Sequence, residues 1–224
     1  MSTLKRVLPL TVMLAGLLAL APTLAGALQE GTDFRTLTPA RPTDDPGKIE
    51  VTEFFSYACP HCKEFYPQLH TWLATQKKDV VLKRVPVSFD RPQWTNLARA
   101  FYALKSMELL DRLDGALFEA IHDKHLPLFD EASLAEWVGK NGGSSEQFAA
   151  AYTSFAINNA TVQADAMSQD YGVEGVPTIA VGGKYVALGN TFPEILKNTD
   201  GLIAKVRAEH AAAAAAPKKA VPKN

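Results

Sequence analysis

The sequence predicts an α/β fold in which a strand–helix–strand unit and a C-terminal strand hairpin are separated by a long helical segment. Three observations support this prediction. Apolar side chains alternate from residue 49 to 55 and then recur at helical spacing after Cys59. After a second predicted strand at 80–89, about 80 residues without strand signals follow. Two glycines, Gly182 and Gly183, then separate two short apolar runs, which is typical of a hairpin.

The N-terminal residues have the pattern of an export signal. Lys5 and Arg6 precede an apolar run at 7–24, and residues 25–27 are the small side chains that cleavage requires. A retained membrane anchor fits less well, because prolines interrupt the run. The mature chain is expected to begin near Leu28, and no later stretch is long and apolar enough to cross a bilayer.

The first strand is predicted to start at Lys48, after an irregular leader at 31–47 that is rich in Pro, Thr and Asp. Two sets of side chains alternate along this strand: Ile49, Val51, Glu53 and Phe55 against Glu50, Thr52, Phe54 and Ser56. The strand should therefore end just before the first cysteine.

A helix is predicted to begin at the cysteines, because Pro60 suits a first helical turn. Its apolar face extends to about Lys77: Phe65, Leu69, Trp72 and Leu73. A second strand follows at 80–89. Short connections favour parallel pairing of the two strands through a right-handed crossover.

Four to six helices are predicted from Pro92 to Tyr171. Two pairs fit the capping-box pattern at helix starts, Ser133 with Glu136 and Ser144 with Gln147, and the glycines at 142–143 fit a helix stop.

The C-terminal part is predicted to contain strands at 177–181 and 184–188, joined by the glycine turn at 182–183. A final helix should start near residues 191–193. The alanine-rich and lysine-containing tail from Ala211 is expected to fray.

The composition argues against a nucleic-acid partner. The chain of 224 residues has 23 basic and 24 acidic side chains and a formal net charge of -1. Its apolar content of 47% is enough for a substantial core.

The chain has only two cysteines, Cys59 and Cys62. Exported proteins normally use cysteines in stabilising disulfides. A bridge across two residues closes almost no loop and contributes little stability in the chain-entropy picture. The pair is therefore interpreted as chemically reactive.

Cys59 is expected to be an acidic thiol, because unpaired N–H groups and the helix dipole stabilise a thiolate at a helix start. Such sites have pKa values of about 3.5 to 7.5, against about 8.5 for a free thiol. Stabilising the reduced form makes a stronger oxidant. Pro60 would stiffen the turn and His61 would add a donor or a positive charge, unless His61 is only a solvent-facing residue. Cys62 should be more buried and act as the resolving thiol.

Glu53 has two interpretations. It shares a strand face with apolar side chains, where a carboxylate is costly unless it is paired or protonated. It would then have a raised pKa and relay protons to Cys62. Alternatively it lies on an edge strand and reaches solvent or pairs with Lys83 or Arg84.

Two segments together closely resemble the DsbA family of periplasmic disulfide oxidases. They are Glu53-Phe-Phe-Ser-Tyr-Ala-Cys-Pro-His-Cys62 and Gly175-Val-Pro-Thr178. The resemblance spans most of the mature chain and implies a thioredoxin-like fold with a helical domain inserted. In that family the proline matching Pro177 is cis and faces the redox pair, which would present the Val176 backbone to an extended substrate segment.

The expected organisation follows from this resemblance and the predicted elements. It comprises a signal peptide at 1–27, a thioredoxin-like domain at 28–91 and 165–210, an inserted helical domain at 92–164 and a low-complexity tail at 211–224.

The resemblance implies a thiol-disulfide oxidase that donates the Cys59–Cys62 disulfide to exported proteins with free thiols as they fold. It implies a periplasmic location and reoxidation by a quinone-linked inner-membrane protein of the DsbB type. No separate cofactor is expected, and the protein is expected to be a monomer.

Two alternatives remain. A disulfide isomerase or reductase would need a pair held reduced and often a dimerisation domain, for which too few residues precede the first strand. A soft-metal module would use both cysteines with His61 or His70, but it lacks a second pair of ligands, so no metal is expected. The remaining histidines are interpreted as helix-surface residues: His122, His125 and His210.

Overall fold

The computed structural model describes residues 27–215. The predicted signal at 1–27 and the end of the tail at 216–224 therefore lie outside the described residues, apart from residue 27. Among the described residues, no helix combines the length and the hydrophobicity that a membrane crossing requires.

A five-stranded sheet forms the centre of the structure, in the order β1-β5-β4-β2-β3. Its strands are β1 (Phe34–Thr36), β2 (Ile49–Phe55), β3 (Val80–Pro86), β4 (Thr178–Val181) and β5 (Tyr185–Ala187). The β2–β3 pair is parallel, as predicted, and the other pairs are antiparallel.

Seven helices accompany the sheet in the described part of the chain. They are α1 (Pro60–Leu73), α2 (Pro92–Ser106), α3 (Leu110–His122), α4 (Glu131–Lys140), α5 (Ser145–Tyr152), α6 (Phe155–Asp170) and α7 (Phe192–Ala215). Five of them lie between β3 and β4, within the predicted range of four to six.

Strand β2 is an interior strand of the sheet, and all seven of its residues are buried. The strand itself was predicted correctly, but its second face does not face solvent. On that face Phe54 joins an apolar cluster with Val85, Ala164 and Tyr171. The polar side chains there bond to protein groups, since Glu50 accepts from the Thr52 hydroxyl at 3.1 Å and from the Asp44 N–H at 3.0 Å.

Helix α1 begins at Pro60, as predicted, but ends at Leu73 and not near Lys77. After Leu73 the chain forms turns, in which the Thr75 hydroxyl bonds to the Trp72 carbonyl at 2.7 Å. Strand β3 is also shorter than predicted and ends at Pro86. Phe89, which the prediction included, has a φ of 47°, outside the range of a strand.

The leader at 31–47 is not wholly irregular, because it contains β1. This strand pairs with β5 through Phe34, Arg35 and Thr36. Three residues are too few to show an alternating pattern, and the partner strand lies far along the chain. The sequence therefore carried no local signal for β1.

The capping prediction at α4 was wrong in one detail. The N-cap is Asp130, which accepts from the Ser133 N–H at 3.0 Å in a capping box, so Ser133 occupies the third helical position and is not the cap. Ser144 caps α5 through the Gln147 N–H, as predicted, and Gly142 follows the end of α4 with a φ of 80°.

The C-terminal hairpin was predicted correctly. Gly182 and Gly183 both have positive φ values, 61° and 64°, which suit the turn between β4 and β5. Helix α7 starts at Phe192 and continues through Ala215, so the alanines at 211–215 are helical and not frayed. Alanine has the highest intrinsic helix propensity, which explains this continuation.

The predicted domain division remains a prediction, and its boundary at 164/165 falls inside α6. One apolar cluster includes Phe55, Tyr57 and both cysteines together with side chains of α2, α3, α4 and α5. The helices between β3 and β4 therefore form part of the core around the cysteines.

Candidate active site

The two cysteines lie where β2 passes into α1. Cys59 is the N-cap of α1, with extended backbone, and Pro60 is the first helical residue. The Cys62 N–H points at the Cys59 sulfur at 3.4 Å. A helix start was predicted here, and the structure places the Cys59 Sγ in the position that an anion prefers.

The pKa of Cys59 is lowered from 9.0 to about 6. The largest cause is the hydrogen bond from the Cys62 thiol, and the N–H groups of Cys62 and His61 and the charge of His61 act in the same direction. Partial burial opposes them. Cys59 therefore carries substantial thiolate character near neutral pH.

Cys62 has the opposite properties. Its side chain is fully buried, whereas Cys59 retains 6% exposure. Burial raises the pKa of Cys62, and the neighbouring Cys59 and Glu53 raise it further. Both cysteines are free thiols in this structure, which thus represents the reduced pair.

His61 and Pro177 line one groove beside the cysteines. The groove has a volume of about 610 Å³ and includes Gln68, Phe192 and Ile195. His61 is exposed, as a residue that meets a substrate must be. The structure thus brings together two predicted site residues that are far apart in sequence.

The Val176–Pro177 peptide bond is cis. The Val176 carbonyl accepts a hydrogen bond from the Cys59 thiol at 3.4 Å, so the loop before β4 faces the redox pair. The expectation of a cis Pro177 that faces the cysteines is confirmed by this geometry.

Glu53 is fully buried on interior strand β2, so the expectation of an edge strand reaching solvent is wrong, while the expected pairing with Arg84 is confirmed. Its Oε2 accepts from the Arg84 Nε at 2.5 Å, while Oε1 is buried without a hydrogen-bond partner. Lys83 does not pair with Glu53 but contacts Asp44 at 2.6 Å. Burial raises the pKa of Glu53, although the Arg84 charge acts against this shift.

Arg84 connects Glu53 to a second buried acid. Its Nη1 donates to Asp114 of α3, and Asp114 also accepts from the Tyr57 hydroxyl. The guanidinium lies 3.9 Å from the centroid of the Phe55 ring. A network of buried polar groups therefore lies beneath the redox pair.

Sequence reasoning missed Asp114, Tyr57 and His122 as parts of this site. Asp114 had a usable signal, because it is an acid on the otherwise apolar buried face of α3. His122 was wrongly interpreted as a surface residue, since it is partly buried and its Nε2 lies 2.7 Å from the Tyr57 carbonyl. His125 lies beyond the end of α3, with a φ of 52°, and not on a helix.

His70, considered as a soft ligand, packs against Tyr66 with ring centroids 4.3 Å apart. Within residues 27–215, no group of three or more His, Cys, Asp or Glu side chains is arranged to hold a metal ion.

The fold and the site together define a class of protein. A reactive cysteine at a helix N-cap, a buried second cysteine one turn later and a facing cis-proline, on a thioredoxin-like sheet, are the features of a thiol-disulfide oxidoreductase.

Comparison with known proteins gives the family. Residues 50–199 match the DSBA-like thioredoxin domain. The thiol:disulfide interchange protein DsbA of Burkholderia cepacia is 34% identical over 209 residues, 91% of this chain and 98% of that protein. The DsbA of Pseudomonas aeruginosa is 35% identical over 205 residues, 88% of this chain and 97% of that protein. The chain belongs to the DSBA-like thioredoxin domain family.

Solved structures agree with this assignment. The crystal structure of Pseudomonas aeruginosa DsbA has a TM-score of 0.76 and 36% identity, covering 80% of this chain and 94% of that one. The crystal structure of the oxidoreductase DsbA from Xylella fastidiosa has a TM-score of 0.77 and 33% identity, covering 82% and 100%. The protein is a thiol-disulfide oxidoreductase with a thioredoxin-like fold.

Proposed function

We propose that this protein donates the Cys59–Cys62 disulfide to exported proteins during their oxidative folding. The observation that carries the proposal is the lowered pKa of Cys59, about 6. A stabilised Cys59 thiolate favours the reduced pair over the disulfide. The pair therefore tends to pass its disulfide on.

The cycle begins with the oxidised pair. A substrate thiolate attacks the Cys59 sulfur, the Cys59–Cys62 bond breaks, and Cys62 leaves as a thiolate that takes up a proton. A second substrate thiolate then attacks the substrate sulfur of the mixed disulfide, and Cys59 leaves as a thiolate. The substrate loses two electrons and the enzyme pair gains them.

Burial directs the attack to Cys59. Cys59 retains 6% exposure and is followed by exposed Pro60 and His61, whereas Cys62 is fully enclosed. His61 stabilises the Cys59 thiolate by its charge and its N–H. The backbone of Val176, beside cis Pro177, offers polar groups to an extended substrate segment, so recognition depends little on substrate sequence.

Glu53 serves in proton transfer with Cys62. Support comes from its burial, its unpartnered Oε1 and its influence on the pKa of Cys62. A raised pKa fits a group that takes and returns a proton. If the Glu53→Gln variant titrates its thiols as the parent protein does, Glu53 has no part in proton transfer.

Each turnover leaves the pair reduced, so the cycle needs an oxidant that accepts two electrons. A quinone-linked inner-membrane protein of the DsbB type fills this role. Oxygen uptake that requires the protein, quinone-containing inner membranes and a thiol substrate would support this partner. Failure of such membranes to reoxidise the pair would exclude it.

The protein acts in the periplasm as a monomer. The pattern at 1–27, two basic residues before an apolar run and an Ala-Gly-Ala site, supports export with cleavage. The mass of the protein recovered from a periplasmic fraction should match a chain that begins near Leu28, and light scattering should give the mass of a single chain.

Equilibration with glutathione redox buffers tests the direction of the reaction. We expect a reduction potential above that of protein disulfide isomerase, about -180 mV. A potential near that of thioredoxin, about -270 mV, would identify a reductant and remove the oxidase assignment.

A further inference from the structure

A histidine at the end of α3 contacts the main chain just before the redox pair. The Nε2 of His122 lies 2.7 Å from the Tyr57 carbonyl oxygen. Because a carbonyl only accepts hydrogen bonds, this nitrogen carries the hydrogen and donates. The catalytic cycle described above makes no use of His122.

The contacted carbonyl belongs to the turn that leads into α1. The Cys59 N–H bonds to the Ser56 carbonyl at 3.1 Å, so residues 56–59 form a β-turn with Tyr57 and Ala58 in its centre. Turns of types I and II differ by a flip of the central peptide, which leaves this closing bond intact. The closing bond therefore does not fix the orientation of the peptide between Tyr57 and Ala58.

Two side chains fix that peptide instead. The Ala58 N–H bonds to the Ser56 hydroxyl at 3.2 Å, and the Tyr57 carbonyl accepts from His122. A flip would break both bonds. Ala58 is not among the residues with positive φ, which fits the unflipped type I form.

The orientation of the Tyr57–Ala58 peptide affects Cys59, the residue that follows it. Cys59 must hold extended dihedral angles for its sulfur to lie over the helix N-terminus, where the Cys62 N–H reaches it at 3.4 Å. A mobile turn would spread the sulfur over several positions and weaken this contact. The thiolate would then lose part of its stabilisation.

We propose that His122 is a positioning residue that holds the Ser56–Cys59 turn and thereby fixes the Cys59 sulfur over the N-terminus of α1. Two turns earlier on α3, Asp114 accepts from the hydroxyl of the same Tyr57. Helix α3 thus holds Tyr57 by its side chain and by its main chain. The effect of His122 on the Cys59 pKa does not depend on the proposed function. Only the expectation that a lower Cys59 pKa makes the pair more oxidising rests on the proposed function.

Three variants of the full chain test the proposal. His122→Leu removes the donor, and His122→Gln removes the imidazole but retains an N–H at a similar distance from the backbone. His125→Asn is the matched control, because it removes an exposed imidazole three residues later and asparagine tolerates the positive φ there. The readouts are the Cys59 pKa from thiolate absorbance and the equilibrium constant with glutathione.

We expect His122→Leu to raise the Cys59 pKa by about 0.5 to 1 unit, the effect of one hydrogen bond, and to make the pair about 3- to 10-fold less oxidising. His122→Gln and His125→Asn should match the parent protein in both readouts. Should His122→Leu lose stability but keep the parent pKa and equilibrium, His122 has only a structural role.

A second outcome would also overturn the proposal: His122→Gln behaving like His122→Leu, since the hydrogen bond would then be irrelevant. A failure of the proposed function would give a different result. The parent protein itself would then be weakly oxidising, however the variants compare with one another.

Discussion

At the scale of the residue, two identical thiols acquire opposite properties from their positions. Cys59 lies at the helix N-cap, where the neighbouring Cys62 thiol and backbone N–H groups lower its pKa. Cys62, one turn inside the helix, is enclosed, and burial raises its pKa. The difference gives one sulfur that leaves readily as a thiolate and one that holds its proton.

This asymmetry predicts how stability depends on pH. The folded pKa of Cys59, about 6, is below its ordinary value of 9.0. Its contribution to the stability of the reduced protein is therefore complete above the ordinary value and is lost as the pH falls through about 6. The oxidised protein has no thiol to titrate and serves as the control.

Urea unfolding of both forms between about pH 8 and about pH 5 measures this contribution. The reduced protein should lose stability relative to the oxidised one as the pH falls. A constant difference across this range would show that Cys59 is not acidic in the folded protein.

Some residues of the site could be recognised from the sequence, and others could not. The cysteine pair, Pro60 and the adjacent His61 were recognisable because their chemistry depends on local spacing. The roles of Tyr57 and His122 depend on a contact between residues that are 65 apart in the chain. No local pattern indicates such a contact.

At the scale of the element, strong local signals predicted the strands and helices that position the site. The alternation in β2, the proline at the start of α1 and the double glycine between β4 and β5 each have a local physical cause. At α4 the sequence pattern indicated Ser133 as the cap, whereas the structure uses Asp130, whose side chain accepts from the Ser133 N–H.

Burial on both faces of β2 could not be predicted from the sequence either, because Glu50 and Thr52 are polar. The structure satisfies them locally, through bonds to each other and to Asp44. Polar residues in a strand indicate solvent only when no such partners exist, and here the partners of Glu50 lie two and six residues away in the chain.

The hairpin turn beside β4 supports a prediction about glycine. A Cβ on Gly183 would lie 2.1 Å from the Arg41 carbonyl oxygen, and its φ is 64°. Gly31 has a φ of 85°, but no atom lies within 4 Å of its Cβ position. The two positions therefore separate a steric clash from the cost of the backbone conformation alone.

We expect Gly31→Ala to lower the free energy of unfolding by about 1 to 2 kcal/mol, the cost of a left-handed alanine. Gly183→Ala should lose about 1 to 3 kcal/mol more, because the added methyl overpacks the turn. Chemical denaturation of the two variants measures the difference. Equal losses of unfolding free energy in the two variants would show that the Arg41 carbonyl does not lie close to Gly183.

At the scale of the whole molecule, the helices between β3 and β4 share their core with the redox pair. The apolar cluster around the cysteines contains Phe101 of α2 and Phe118 of α3. The polar network of Glu53, Arg84 and Asp114 joins β2, β3 and α3. The helical segment was predictable as a set of helices, but its packing on the sheet was not, because it depends on side chains far apart in sequence.

The buried network allows a prediction of what happens when its cation, Arg84, is replaced. In Arg84→Met, two buried carboxyl groups lose their common partner, and we expect the free energy of unfolding at pH 7 to fall by about 3 to 5 kcal/mol. Lys140→Met is the control, since its ion pair with Glu136 is exposed to solvent and should contribute little to stability. Similar losses in both variants would show that the buried network is unimportant for stability.

The proposed reaction depends most on the acidity of the Cys59 thiol, and alkylation kinetics measure this acidity directly. The reduced protein is treated with iodoacetamide across a range of pH, and the rate at Cys59 is followed by mass spectrometry. The rate should reach half its maximum near pH 6, the expected pKa of Cys59. A midpoint near 9, the ordinary value for cysteine, would contradict the assignment of Cys59 as the stabilised thiolate of a disulfide donor.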